Sequence, residues 1–186
     1  MPEKQTIKRA RRDKREGKSA STQAGEFVRE EMHHIREGKH GARSARQAIA
    51  IGLSKARRAG VDLPPPGKGK TTERTRKSAE RAWRRGQGEP AKGKPSARRS
   101  RATENALKRK GHSAASHEAL SKQAHAAARR RTKDERSAAA QKAVETKGPR
   151  ERHEAAVKAV RTKGRAGLKR AARQAARTRT TRAANS

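Results

Sequence analysis

The sequence predicts an all-α, largely non-globular fold: an N-terminal helical hairpin, then short Ala/Arg/Lys-rich helices joined by disordered linkers. Three observations predict it. Leu, Ile, Val and Phe together number 15 of 186 residues. Against 18 Asp and Glu stand 52 Lys and Arg, a formal net charge of +34. So little bulky apolar surface beside so much like charge falls in the range of chains that stay disordered. Third, the apolar residues that exist are clustered and recur at intervals of three and four, the period of a helix face. Alanine, at 36 residues, adds helix propensity while burying little surface.

Residues 1–20 read as a basic arm, disordered until bound, because Ile7 is an isolated large apolar residue and Gly17, Ser19 and Ser21 mark an end. Residues 21–63 read as the helical hairpin. Eight of the 15 Leu, Ile, Val and Phe residues fall between Phe27 and Leu63, joined by Met32. A first helix is expected from about Thr22 to Glu37, with Ala24, Val28, Met32 and Ile35 on one stripe and Phe27 beside it. Gly38 supplies a left-handed C-terminal cap. After the loop 38–44, Ser44-Ala45-Arg46-Gln47 matches a capping box, which starts a second helix. Its stripe is Ala45, Ala48, Ile49, Gly52, Leu53 and Ala56. Gly52 costs helix propensity, which close approach of the first helix would offset. Gly60 and Pro64-Pro65-Pro66 end it. So small an apolar face calls for self-association, through residues 24–56 as a homodimer, or for packing of a third helix.

Residues 64–71 read as a Pro/Gly/Lys linker. Residues 72–86 read as the third helix, opened by Thr72 and carrying the one tryptophan, Trp83, whose expected role is packing on the hairpin. Residues 87–96 form a second linker. Residues 97–186 make a basic Ala-rich tail, with a helix expected from Ser113 to Arg131. The tail holds a 16-residue repeat: 136–148 (RSAAAQKAVETKG) matches 152–164 (RHEAAVKAVRTKG) at nine of thirteen positions, and 171–179 is a weaker third copy. Each unit reads as a helix of about ten residues ended by glycine, too short to persist alone in water.

Charge is divided unevenly. Residues 1–66 hold 16 basic and 8 acidic groups, net +8, whereas residues 67–186 hold 36 and 10, net +26. A polymer this cationic condenses on a polyanion, releasing counterions and gaining sequence-independent affinity. The cations expected at phosphates are Lys8, Arg9, Arg11, Arg12, Lys14 and Arg15 of the arm, and Arg43, Arg46, Lys55, Arg57 and Arg58 around the second helix. Arg84 and Arg85 close the third helix. The tail contributes Arg98, Arg99, Arg101, Arg129, Arg130, Arg131, Lys169, Arg170, Arg173 and Arg177. One Phe, one Trp and no Tyr leave no stacking platform for single strands. The excess of Arg over Lys suits bidentate contact with phosphate. Duplex DNA is therefore favoured over RNA.

Other classes are excluded. No nucleophile, base and orienting group assemble on a core, so no enzyme, cofactor or small-molecule substrate is expected. With no cysteine, and with His33 and Glu37 at helical spacing but outside any His-Glu-x-x-His pattern, no metal site is expected either. His33, His34 and His40 read as solvated surface groups or phosphate donors. Nothing approaches a transmembrane span or a signal peptide, and the expected place is the cytoplasm.

Residues 21–61 resemble a segment shared by small, very basic bacterial proteins classed as a domain of unknown function, some of them labelled DNA-binding or plasmid stabilization protein. The resemblance rests on Glu26-Phe27, on Arg36-Glu37-Gly38-Lys39-His40-Gly41-Ala42-Arg43-Ser44 and on Gln47 through Arg57. It implies a bacterial source and transfers no catalytic residue. The tail resembles bacterial linker-histone-like proteins, differing in its many arginines and scattered glutamates. Together these readings give a non-enzymatic, nucleoid-associated protein that binds duplex DNA through its phosphates. The rivals are an RNA- or ribosome-binding protein and a plasmid-maintenance module that binds an acidic protein partner.

Overall fold

In a computed structural model of the chain, residues 2–90, 93 and 96–184 are described, the side chains of 182–184 excepted. Residues 91, 92, 94 and 95 of the expected linker 87–96, Met1 of the arm and residues 185 and 186 of the tail lie outside the described residues. The described residues form seven α-helices and no strand: α1 (Lys4–Arg15), α2 (Ala20–Arg36), α3 (Ala45–Arg58), α4 (Glu73–Gly86), α5 (Ala97–Lys108), α6 (His117–Arg129) and α7 (Lys133–Ala184), with a 3-10 turn at Ser113–Ala115 between α5 and α6. Two units divide the chain, Met1–Ala127 and Ala128–Ser186.

Hydroxyl side chains set the helix starts. Ser19 caps α2, Ser44 caps α3, Thr72 caps α4 and Ser96 caps α5, each accepting from a backbone N–H three residues on. At α3 the Gln47 side chain reaches back as a capping box requires, but accepts from the N–H of Arg43 (2.8 Å), one residue earlier than the cap itself. Ser113 does not start α6. Residues 113–115 form the 3-10 turn, which buries Ala114 and Ala115, and Ser116 Oγ accepts from Ala119 N (3.1 Å) at the helix start.

The first unit is folded, which corrects the expectation of a largely non-globular chain. Residues 4–15 are the helix α1, not a disordered arm. Thr6, Ala10 and Asp13, spaced four and three apart, form its buried face, and Ile7 joins the cluster around Phe27. Polar anchors hold it to α2: the N–H of Glu3 donates to Glu30 Oε2 (3.1 Å) and Arg9 Nε to Glu26 Oε2 (2.6 Å). The core has two halves. Ala10, Ala24, Phe27, Ala56 and Val61 fill one; Met32, Ile35, Ala42, Ala48, Ala114 and Ala115 fill the other. Alanine can build such a core because small side chains let helix axes approach, trading bulk for proximity. A Cβ on Gly52 would stand 2.7 Å from the Cα of Val28, so α2 and α3 touch backbone to backbone there. The stripes of residues 24–56 that suggested a homodimer thus find their cover within the chain, from α1, from Val61 and from the 3-10 turn.

In the second unit no described side chain is buried. Gly148 and Gly164 interrupt α7 with non-helical backbone, φ 63° at both, and divide it into segments 133–147, 149–163 and 165–184. Each break lies at the end of a sequence repeat. Pro149 takes the first position after its break, where a missing N–H costs nothing. Val144, Val157 and Val160 are 45%, 53% and 46% exposed. With no core to gain, this unit draws its helicity from alanine propensity, from the capping box of Thr132 and Glu135 at its start and from surface pairs such as Arg150 with Glu154.

Candidate nucleic-acid interface

On α4 one face is apolar and the other cationic. Ala79 and Ala82 are buried where the helix packs on α3. Arg74, Lys77, Arg81 and Arg85, spaced three or four apart, line a shallow groove on the outside together with Arg84, Glu73, Glu80, Glu89 and Pro90. Glu80 holds Arg84 Nη2 at 2.7 Å, and Glu73 holds Arg76 Nη2 at 2.6 Å, while Arg74, Lys77, Arg81 and Arg85 are exposed along the groove. Arg58, at the end of α3, is pushed below the usual arginine value by partial desolvation and, next, by the like charge of Arg85. Two guanidinium groups from neighbouring helices thus repel one another, and an anion between them relieves that repulsion. On α1, Lys4, Lys8, Arg11 and Arg15 make a second exposed stripe at helical spacing.

Residues 4–68 match a family of unknown function, DUF6496. That span takes in α1, α2 and α3 and contains the segment 21–61 on which the family resemblance rests. No curated protein matches the chain, and neither does any solved structure.

Most of the expected cations face solvent: Lys8, Arg11, Arg12, Lys14, Arg15, Arg43, Arg46, Arg58, Arg84 and Arg85, and every one named in the tail. Three do not face solvent. Arg57 is 8% exposed; its Nε donates to Leu63 O (3.0 Å) and its Nη2 to Pro64 O (3.3 Å), tying the proline segment to α3. Burial lowers its pKa. Lys55 Nζ lies 2.7 Å from Glu31 Oε2, and that carboxylate is fully buried. Arg9 is half-buried against Glu26. In each case an acid or carbonyl on another part of the first unit turns the cation inward.

Lys4, Arg74, Lys77 and Arg81 were missed by sequence reasoning. The signal for Lys4 was the spacing 4, 8, 11 and 15, and for the others the spacing 74, 77, 81 and 85, hidden because Arg76 and Glu80 interrupt it. Trp83 packs as expected: its Nε1 donates to Asp62 Oδ1 (2.9 Å), and the ring is half-buried. His34 and His40 are not solvated surface groups. Their side chains are 13% and 17% exposed and lie beside Glu31, because the loop after α2 folds back over the helix end. His33, next in sequence to His34, is exposed. No helix among the described residues is long and apolar enough to cross a membrane.

Proposed function

We propose that this chain is a non-enzymatic protein that binds duplex DNA, mostly without regard to sequence, by neutralising phosphates. The observation that carries the reading is the second unit: 19 basic against 5 acidic residues between 128 and 186, with every described side chain outside a core. A segment whose cations neither pair with acids in number nor support packing owes its composition to an external polyanion. Phosphate contact offsets the mutual repulsion of those cations and favours the helical state of the three segments. The exposed faces of α1 and α4 in the first unit add further phosphate contacts, and the tied Trp83 leaves no free aromatic for stacking on single strands. Its proposed place is the nucleoid of a bacterial cytoplasm, in a histone-like role.

Competition decides the polyanion. Purified, nuclease-treated protein is offered labelled duplex DNA against unlabelled duplex RNA and ribosomes at 150–300 mM salt. The expected result is retention on DNA throughout; transfer to RNA or ribosomes across that range overturns the reading.

A further inference from the structure

We infer that Glu31, His34 and His40 form a binding site for one divalent metal ion of the zinc type. Glu31 and His34 stand one turn apart on α2, and His40 reaches them from the loop after it. One ligand atom from each lies within 4.8 Å of the other two. In a tetrahedral zinc site with bonds near 2.1 Å, ligand atoms lie ~3.4 Å apart. Side-chain rotation covers the difference.

The hydrogen bonding of the cluster prepares it for a cation. Glu31 is fully buried, and neither of its carboxylate oxygens receives an aligned hydrogen bond. Lys55 and His40 approach it without an aligned hydrogen bond, with Lys55 Nζ 2.7 Å from Oε2 and His40 Nε2 3.3 Å from Oε1. His40 Nδ1 is 3.2 Å from the carbonyl oxygen of Gly41, which can only accept, so Nδ1 carries the proton. In the neutral ring Nε2 then points a lone pair at a carboxylate. A cation between the two groups, a metal ion in competition with a proton on Nε2, removes the repulsion of lone pair and carboxylate. His34 is oriented from outside in the same manner: its Nε2 meets Glu3 Oε1 at 2.9 Å, which leaves Nδ1 as the basic nitrogen. A carboxylate or backbone carbonyl fixing the far nitrogen is the usual support of a metal-bound imidazole.

Charge counting gives the same answer. Glu3, Glu30, Glu31 and Glu37 face Lys39 and Lys55 here, two positive charges short when both histidines are neutral. Two imidazoles and a carboxylate form the donor set of zinc sites with an open fourth position. As the ion enters, Lys55 turns to Glu30, whose Oε1 is already 3.7 Å away.

Calorimetric titration of the full, nuclease-treated chain with zinc chloride tests this. One ion per chain is expected, with a melting temperature that rises with zinc concentration. Cobalt(II) is expected to give the intense visible bands of tetrahedral coordination, a readout on the unaltered protein. His40→Ala and His34→Ala should each weaken uptake by more than the roughly 10–100-fold typical of losing a supporting partner. His33→Ala, on the exposed face of the same helix, should change nothing. Weak uptake that responds equally to all three substitutions overturns the proposal. So does an imidazole NMR titration in which protons fill the cluster while zinc leaves its signals unmoved.

Discussion

The two units spend their charges differently. In the first, acids on α2 hold cations from α1, α3 and α2 itself: Glu26 takes Arg9 and Arg29, Glu31 takes Lys55, and Glu30 accepts from the backbone N–H of Glu3. In the second, Arg150 pairs with Glu154 at 3.2 Å, both side chains well exposed, and such a pair contributes little. The lesson concerns composition. High net charge does not by itself prevent folding; what decides is whether a minority of acids is placed where a helix can bury them beside a base. Here that minority is gathered on α2.

The largest effect expected from this contrast comes from deleting residues 128–186. Duplex affinity should fall, and the slope of log K against log salt should flatten by about 0.9 for every phosphate that is no longer neutralised. The melting temperature of the remainder should hardly move. An unchanged slope, measured by fluorescence anisotropy across a salt series, would mean that the second unit does not touch DNA.

Next in size is Lys55→Ala. It strands Glu31, so denaturant unfolding should show a loss of about 3–5 kcal/mol. Arg170→Ala, on the exposed second unit, should stay within about 0.5 kcal/mol and lower the salt slope instead. Equal stability losses in the two variants would erase the distinction between the units.

A pair of glycine substitutions sharpens it further. Gly52→Ala forces a methyl against the Val28 backbone, for which overpacking costs about 1–3 kcal/mol, offset by up to about 1 from helix propensity. Gly164→Ala meets open space but cannot keep φ 63° cheaply, so the chain should turn helical there and join segments 149–163 and 165–184. Far-UV circular dichroism should then rise for Gly164→Ala, whereas denaturant midpoints should fall for Gly52→Ala.

The smallest effect is one of pH. The Glu3 carboxyl is held below its ordinary range chiefly by the hydrogen bond from His34, with Lys39 adding to it against partial desolvation. A depressed carboxylate stabilises the fold above its unfolded pKa and loses that contribution as pH falls through the lower folded value. Melting temperature should therefore drop on acidification below the ordinary carboxylate range, and Glu3→Gln should make that drop slightly shallower in scanning calorimetry.

The legible parts of the fold share one property: a hydroxyl cap followed by apolar residues at helical spacing. Ser44 with Ala45, Ala48 and Ile49 announces α3, and Thr72 does the same for α4. α1 was not legible, because its buried face is Thr6, Ala10 and Asp13, which look like surface residues until α2 packs on them and Lys18 pairs with Asp13. The site was legible as a total of charge, less so as a direction. Nothing in Ser54-Lys55-Ala56-Arg57-Arg58 says that Lys55 and Arg57 turn inward while Arg58 stays out. That is settled by Glu31 on the neighbouring helix and by the carbonyls of Leu63 and Pro64. His34 and His40 likewise become neighbours only once the loop folds back.

Because each break in α7 falls at the boundary of a 16-residue unit, adding or losing one unit changes how far the tail reaches and leaves every packed residue where it was. A helical segment of 15 residues is about 22 Å long, so each such copying event in the gene would lengthen the cationic reach by that step, between the same glycine joints. Tail length is thus a quantity that selection can adjust in whole increments, at no risk to the core.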